Sequence, residues 1–119
     1  MKANWEFFYG KEADSFKFYR IPQMLVTDER FKYVSYGAKI LYGLFLDRVG
    51  LSNKNGWRDE FGRTFIIYSV QEVMEAMNCS KVTAIKMISE LEKAGLLEKK
   101  RRGLGLANVI YLKKFISEV

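Results

Sequence analysis

Nine basic side chains crowd residues 80–114: Lys81, Lys86, Lys93, Lys99, Lys100, Arg101, Arg102, Lys113 and Lys114, against only Glu90, Glu92 and Glu98. Residues 1–79 carry 11 basic and 10 acidic groups, so the formal charge of +6 is concentrated in this one stretch. Ammonium and guanidinium groups gathered on a small domain are suited to capturing a polyanion, nucleic acid first of all. The same excess also serves a merely solvated, solubilising face. Other chemistries are poorly provided for. The chain has no histidine, which excludes histidine metal sites, Ser-His-Asp triads and histidine general bases. A single cysteine, Cys79, excludes an internal disulfide and a cysteine-clustered zinc site, and reads as a small buried apolar residue. Catalysis would rest on carboxylates alone. The adjacent pair Asp59 and Glu60 would point to opposite faces of a strand. No glycine-rich loop ends in Lys-Ser or Lys-Thr, so there is no phosphate-binding loop of that kind. The expectation is a binding protein rather than an enzyme, with no metal and no cofactor.

The elements that must hold these cations come from 119 residues, 49% hydrophobic and 29% charged, enough for one modest core. No stretch approaches the roughly 20 apolar residues of a membrane span, and the aromatic start is interrupted by Lys2, Asn4 and Glu6. A cytoplasmic domain without membrane contact is expected. Every aromatic residue before residue 31 lies in 1–23: Trp5, Phe7, Phe8, Tyr9, Phe16, Phe18 and Tyr19. Phe16, Phe18 and Arg20 alternate with Lys17 and Tyr19 in a strand-like period that Pro22 ends. Residues 1–23 thus read as an aromatic N-terminal arm, covering either its own core or a partner subunit.

Beyond the arm, Thr27 should cap a single helical turn reaching Arg30. Ser35 should cap a longer helix to about Arg48, stopped by Gly50, with Ala38, Leu41, Tyr42, Phe45 and Val49 on its apolar stripe and Ile40 and Leu44 widening it. Turn signals stand at Asn55 with Gly56 and at Phe61 with Gly62, followed by a β-rich run over 64–68. Ser69 with Glu72 is a capping box, and the helix it opens should bury Val70, Val73, Met74 and Met77. Asn78 and Cys79 make a tight turn. Ser80 then caps a helix ending near Ala94 and Gly95. Two strand candidates, 96–102 and 107–112, are joined by Gly103, Leu104 and Gly105, giving a hairpin with a basic tip.

Helix, strand, helix, tight turn, helix and basic hairpin, in that order, spell an α+β fold: a winged helix-turn-helix, with a small β-sheet and a C-terminal hairpin as the wing, in a single domain over 1–119. At about 100° per residue, Ala84, Met87, Ile88 and Leu91 form the buried stripe of the last helix, and Val82, Lys86, Ser89 and Lys93 lie opposite. Such a face mixes cations for phosphates or guanine edges with small groups for base edges and thymine methyls. Ser80, Lys81, Val82, Thr83, Ile85, Lys86 and Ser89 are therefore expected in the major groove of double-stranded DNA. Lys99, Lys100, Arg101, Arg102, Gly103, Leu104 and Gly105 are expected to form the wing contact. Lys39 and Ser69, at or near helix starts, are further candidates for phosphate contacts. Two features favour a solvated face instead: Glu90 and Glu92 on the helix, and strand alternation that would send Lys99 and Arg101 one way and Lys100 and Arg102 the other.

At these residues the sequence resembles the N-terminal domain of plasmid replication initiator protein A, the RepA-N family of low-GC Gram-positive bacteria. The resemblance is carried by residues 18–22 (Phe-Tyr-Arg-Ile-Pro), 31–39 (Phe-Lys-Tyr-Val-Ser-Tyr-Gly-Ala-Lys), 41–44 (Leu-Tyr-Gly-Leu) with Asp47 and Arg48, and 55–57 (Asn-Gly-Trp) with Asp59 and Glu60. It continues through Gly62 and Arg63, Cys79 and Ser80, 91–96 (Leu-Glu-Lys-Ala-Gly-Leu), and 102–105 (Arg-Gly-Leu-Gly) with Asn108. It covers about residues 16–115. What it implies is a dimeric winged-helix domain that binds repeats in a plasmid replication origin. It further implies a C-terminal domain that engages host replication proteins, so that this chain is the N-terminal part of a longer initiator. Physics alone leaves two alternatives open: a winged-helix transcriptional regulator, which needs the same groove contacts, and a winged helix used as a protein-interaction module, towards which Val82 and Ile85 lean.

Overall fold

The computed structural model describes residues 5–115; the first four residues of the expected arm and residues 116–119 lie outside it. Four helices and three strands follow in the order α1 (Gln23–Thr27), α2 (Tyr36–Lys54), β1 (Ile66–Tyr68), α3 (Val70–Met77), α4 (Lys81–Lys93), β2 (Leu97–Lys100) and β3 (Asn108–Leu112). The strands form one antiparallel sheet in the order β1-β3-β2. Ile66 faces Ile110, and Leu97 faces Leu112. This is a winged helix-turn-helix, with α3 and α4 as the helix pair and β2 and β3 as the wing.

The core lies around α2. Five successive residues, Leu41, Tyr42, Gly43, Leu44 and Phe45, are buried, so this helix is covered on more than one side. One cover is the sheet, where Ile66, Tyr68 and Ile110 join the core and the Phe45 and Tyr68 rings meet edge to face at 5.4 Å. A second is α4, through Ala84, Met87, Ile88 and Leu91. A third is the end of the N-terminal arm, which crosses α2 at Gly43. A Cβ there would stand 3.0 Å from both the Arg20 carbonyl oxygen and Ile21 Cγ1, so only glycine admits so close a crossing.

Three local expectations need correction. Gly50 does not stop α2, which runs on to Lys54. One glycine weakens a helix by about 1 kcal/mol but still supplies its N–H, and the real stop is Asn55 followed by Gly56 at φ +75°. The single turn after the arm is capped by Asp28, not Thr27: its carboxylate accepts from the Arg30 N–H at 2.9 Å, and a separate short helix, α1, precedes it. The alternation at residues 16–20 makes no strand. These residues follow a 3-10 turn at Gly10–Ser15 and have no ladder partner, because alternation only chooses faces once a neighbouring strand accepts the hydrogen bonds. The arm's rings touch one another, Phe8 with Phe16 at 6.0 Å and Phe16 with Phe18 at 6.4 Å, and stay largely in solvent.

The helix-turn-helix itself follows the sequence closely. Ser69 Oγ accepts from the Glu72 N–H at 3.0 Å, and Glu72 Oε1 accepts from the Ser69 N–H at 3.1 Å, completing the capping box. α3 ends on Asn78 in the left-handed conformation (φ 51°), a place asparagine tolerates better than most side chains. Ser80 starts α4 two residues later by accepting from the Thr83 N–H at 3.2 Å. Cys79, half-buried, packs against the core between the two helices.

The loop before β1 is fixed by one carboxylate. Asp59 accepts from the Phe61 N–H (2.9 Å), the Arg63 N–H (2.9 Å), the Arg63 guanidinium (2.8 Å) and the Tyr111 hydroxyl (3.0 Å). It thereby ties the turn to β3. Burial alone would raise its pKa, but these hydrogen bonds outweigh burial and hold it at about 2, against an ordinary 3.8. The folded protein therefore binds this proton less readily than the unfolded chain. The contribution is complete above about pH 4 and is lost as the pH falls through about 2. In urea titrations across that window, wild type should lose stability more steeply than Asp59→Asn; equal slopes would show that the carboxylate does not tie the loop.

Candidate nucleic-acid interface

The outward side of α4 is built by what the inward side buries. With Ala84, Met87, Ile88 and Leu91 in the core, Lys81, Val82, Thr83, Ile85, Lys86 and Lys93 stand exposed and Ser89 half-exposed. Val82 is 77% exposed, an apolar group with no folding role. Ser80 and Thr83 join their hydroxyls at 3.1 Å over the start of the helix. Val82, Ile85, Lys86 and Ser89 of the predicted groove-facing set thus share one outer surface, with Lys81 and Thr83 on either side of it in the first turn and Ser80 as the cap.

The two glutamates that argued for a solvated face are turned to its borders. Glu90 Oε1 accepts from the Ser35 N–H at 3.0 Å and Oε2 from the Ser35 hydroxyl at 2.8 Å. The same Ser35 oxygen accepts from the Ala38 N–H at 3.2 Å, so one serine caps α2 and docks it on α4. Gly37 lies against Met87, where a Cβ would come within 2.9 Å of the sulfur. On the other flank, about 160° round the wheel, Glu92 faces Lys99 Nζ at 3.9 Å. Between these borders the exposed charges of α4 are lysines.

The wing departs from the expected pairing in a way that helps it. The ladder ends at Lys100, so Arg101 and Arg102 are free of strand alternation. Alternation acts only on the two lysines: Lys99 turns towards Glu92, and Lys100 lies over the Tyr111 ring at 5.9 Å. Arg102 Nε donates to the Ala107 carbonyl at 2.8 Å and braces the loop. Gly103 (φ +138°) and Gly105 (φ +76°) turn the tip, with Leu104 between them in solvent. Arg101, Gly103, Leu104, Gly105, Leu106 and Asn108 line a shallow hollow of about 350 Å³ in the loop.

Two candidates do not join this surface. Lys39 is only 5% exposed, its ammonium 5.5 Å from the ring of Tyr36, so the tyrosine and not the lysine meets solvent there. Ser69 is half-buried, its oxygen and N–H both used by the capping box. Sequence reasoning missed the role of Glu90. The only signal was its place on the flank of the wheel, level with neither the core nor the exposed face. It also left aside Lys93, which the same wheel puts beside Lys86.

Residues 17–119 match the family described as the N-terminus of replication initiator protein A (RepA). Three solved structures are similar over nearly the whole chain. The N-terminal domain of a DNA-binding protein is 39% identical with a TM-score of 0.78, covering 97% of this chain and 88% of that one. A Rep–DNA complex is likewise 39% identical with a TM-score of 0.78, covering 95% and 88%. An MDR initiator is 34% identical with a TM-score of 0.76, covering 95% and 89%. No curated protein matches.

Removing the Glu90 carboxylate should free Ser35 and loosen the seat of α2 on α4. Glu90→Ala should cost about 1.5–3 kcal/mol in urea unfolding, the range for a hydrogen bond to a charged group. An unchanged midpoint would deny the contact any weight.

Proposed function

The chain belongs to the family of replication initiator protein A N-terminal domains, and from that premise we propose that it binds double-stranded DNA sequence-specifically, at repeats in a plasmid replication origin, to initiate replication. The observation that carries the reading is the lysine-bearing face of α4, cleared of acid between Glu90 and Glu92 and continued by the cations of the wing. Ser80, Lys81, Val82, Thr83, Ile85, Lys86 and Ser89 enter the major groove, while Lys99, Lys100, Arg101, Arg102 and the tip meet the backbone or minor groove. The likeness to a Rep protein solved in complex with DNA supports duplex binding. The protein acts by binding and catalyses nothing. It works in the cytoplasm, in keeping with the lack, among the described residues, of any helix long and apolar enough to cross a membrane. Host replication proteins are engaged through a further C-terminal domain.

A homodimer is the second part of the proposal. Its support is the arm, where Trp5, Phe7, Phe8, Tyr9, Phe16, Phe18 and Tyr19 are all exposed in the single chain. So many rings in water favour a partner surface that covers them.

The test is fluorescence anisotropy against duplexes tiled across the protein's own gene and its flanks, at two salt concentrations. Tight binding to a repeated tile over a weak, salt-steep background is expected. Lys86→Ala should cost about 1–3 kcal/mol if the lysine reads a base, or weaken all tiles evenly and lower the salt slope by about one if it meets only phosphate. Salt-insensitive binding to a protein partner with no tile preferred would point instead to an interaction module. Deleting the bound tile from the plasmid separates initiator, which then fails to replicate, from transcriptional regulator. For the dimer, sedimentation should give twice the chain mass, and replacing Phe16 and Phe18 by serine should shift it towards the monomer. A wild-type monomer at all concentrations would sink that part.

A further inference from the structure

Leu104 stands at the outermost point of the wing with a relative exposure of 106%. Gly103 and Gly105, both at positive φ and both facing open space, hold it there. Leu106, two residues on, is also exposed. Hairpin tips in water ordinarily carry Asn, Asp, Ser or Gly, whose polar groups serve the turn. A leucine gains nothing from this fold, since it touches no part of the core. Nor is the loop slack: the Arg102–Ala107 bond at 2.8 Å and a Leu106 N–H to Gly103 carbonyl bond at 3.3 Å brace it from within.

Behind this apolar point stand Lys99, Lys100, Arg101 and Arg102. An apolar tip on a cationic stalk matches a duplex groove, where phosphates line the rims and the floor offers stacked base edges. Side chains of this kind enter the minor groove, part a base step and bend the duplex away from themselves. An apolar protein surface would accept the leucine but would offer no counter-charge to the cations beside it, of which only Lys99 meets a carboxylate among the described residues.

We propose that Leu104 is a wedge: it inserts from the minor groove between two base pairs beside the site gripped by α4, unstacks that step and bends the DNA. This rests on the duplex-binding reading above and adds to it an activity, deformation of the bound DNA. Cost and return then fall on different residues. Unstacking opposes binding, and the contacts of the cations along the bent backbone offset it.

The test uses the duplex selected by the tiled titration, with 2-aminopurine placed at each step in turn and a dye pair at the two ends, while anisotropy reports binding in the same samples. At saturation, wild type should raise 2-aminopurine emission at one step beside the α4 site and bring the ends closer. Leu104→Ser, at an exposed position outside the core, should lose both signals and still saturate the duplex, with affinity lowered by at most about 100-fold, the transfer term of one leucine. Leu104→Phe should keep both signals. Unstacking and bending that survive Leu104→Ser, or a saturated wild-type complex with neither, would overturn the wedge and leave duplex binding standing. Failure of wild type to saturate any duplex would overturn both.

Discussion

Glu90 closes the amino end of α2 with two hydrogen bonds to Ser35, and that contact keeps its carboxylate at the border of the lysine-bearing face of α4. A carboxylate on an exposed helix face would repel phosphate. Here it is drawn to the flank, where it accepts from the N–H and hydroxyl of Ser35 at the amino end of the 19-residue α2. The same contact joins α2 to α4 next to the place where Gly37 lets Met87 approach. Folding and charge placement are thus solved by one contact.

Much of this was legible in the sequence. The capping box at Ser69 and Glu72, the serines at 35 and 80, the buried stripe of α4 and the glycine tip all depend on neighbours within a few residues, and local spacing encodes them. What was not legible depends on partners far away in the chain. Glu90 meets Ser35 across 55 positions, and nothing in the spacing around either residue announces the pair. Lys39 looked like a surface cation by type, yet it follows the buried Ala38 near the start of α2 and is itself buried, its ammonium against the Tyr36 ring. Gly50 looked like a helix stop because the local rule has no knowledge of Ser52, buried two residues beyond.

The wing shows the same division. Its hairpin and its charge were readable, but the strand was expected to run through Arg102, which would have divided the four cations between two faces. The ladder ends at Lys100 instead, as the chain must leave the sheet to reach the positive φ of Gly103. Both arginines therefore belong to the loop, where Arg102 has a bracing bond and Arg101 lines the hollow beneath the tip. Asp59 performs a comparable service at the opposite end of β3, holding the loop before β1 against Tyr111.

The side chains that face outward from α4, Val82, Lys86 and Lys93 among them, contribute no packing to the fold. Substitution at such surface positions usually changes stability by no more than about 0.5 kcal/mol. The outer face of α4 and the architecture beneath it can therefore change separately. Substitutions on that face can accumulate one at a time, each intermediate remaining folded, while Ser35, Gly37 and Glu90 keep the frame in place.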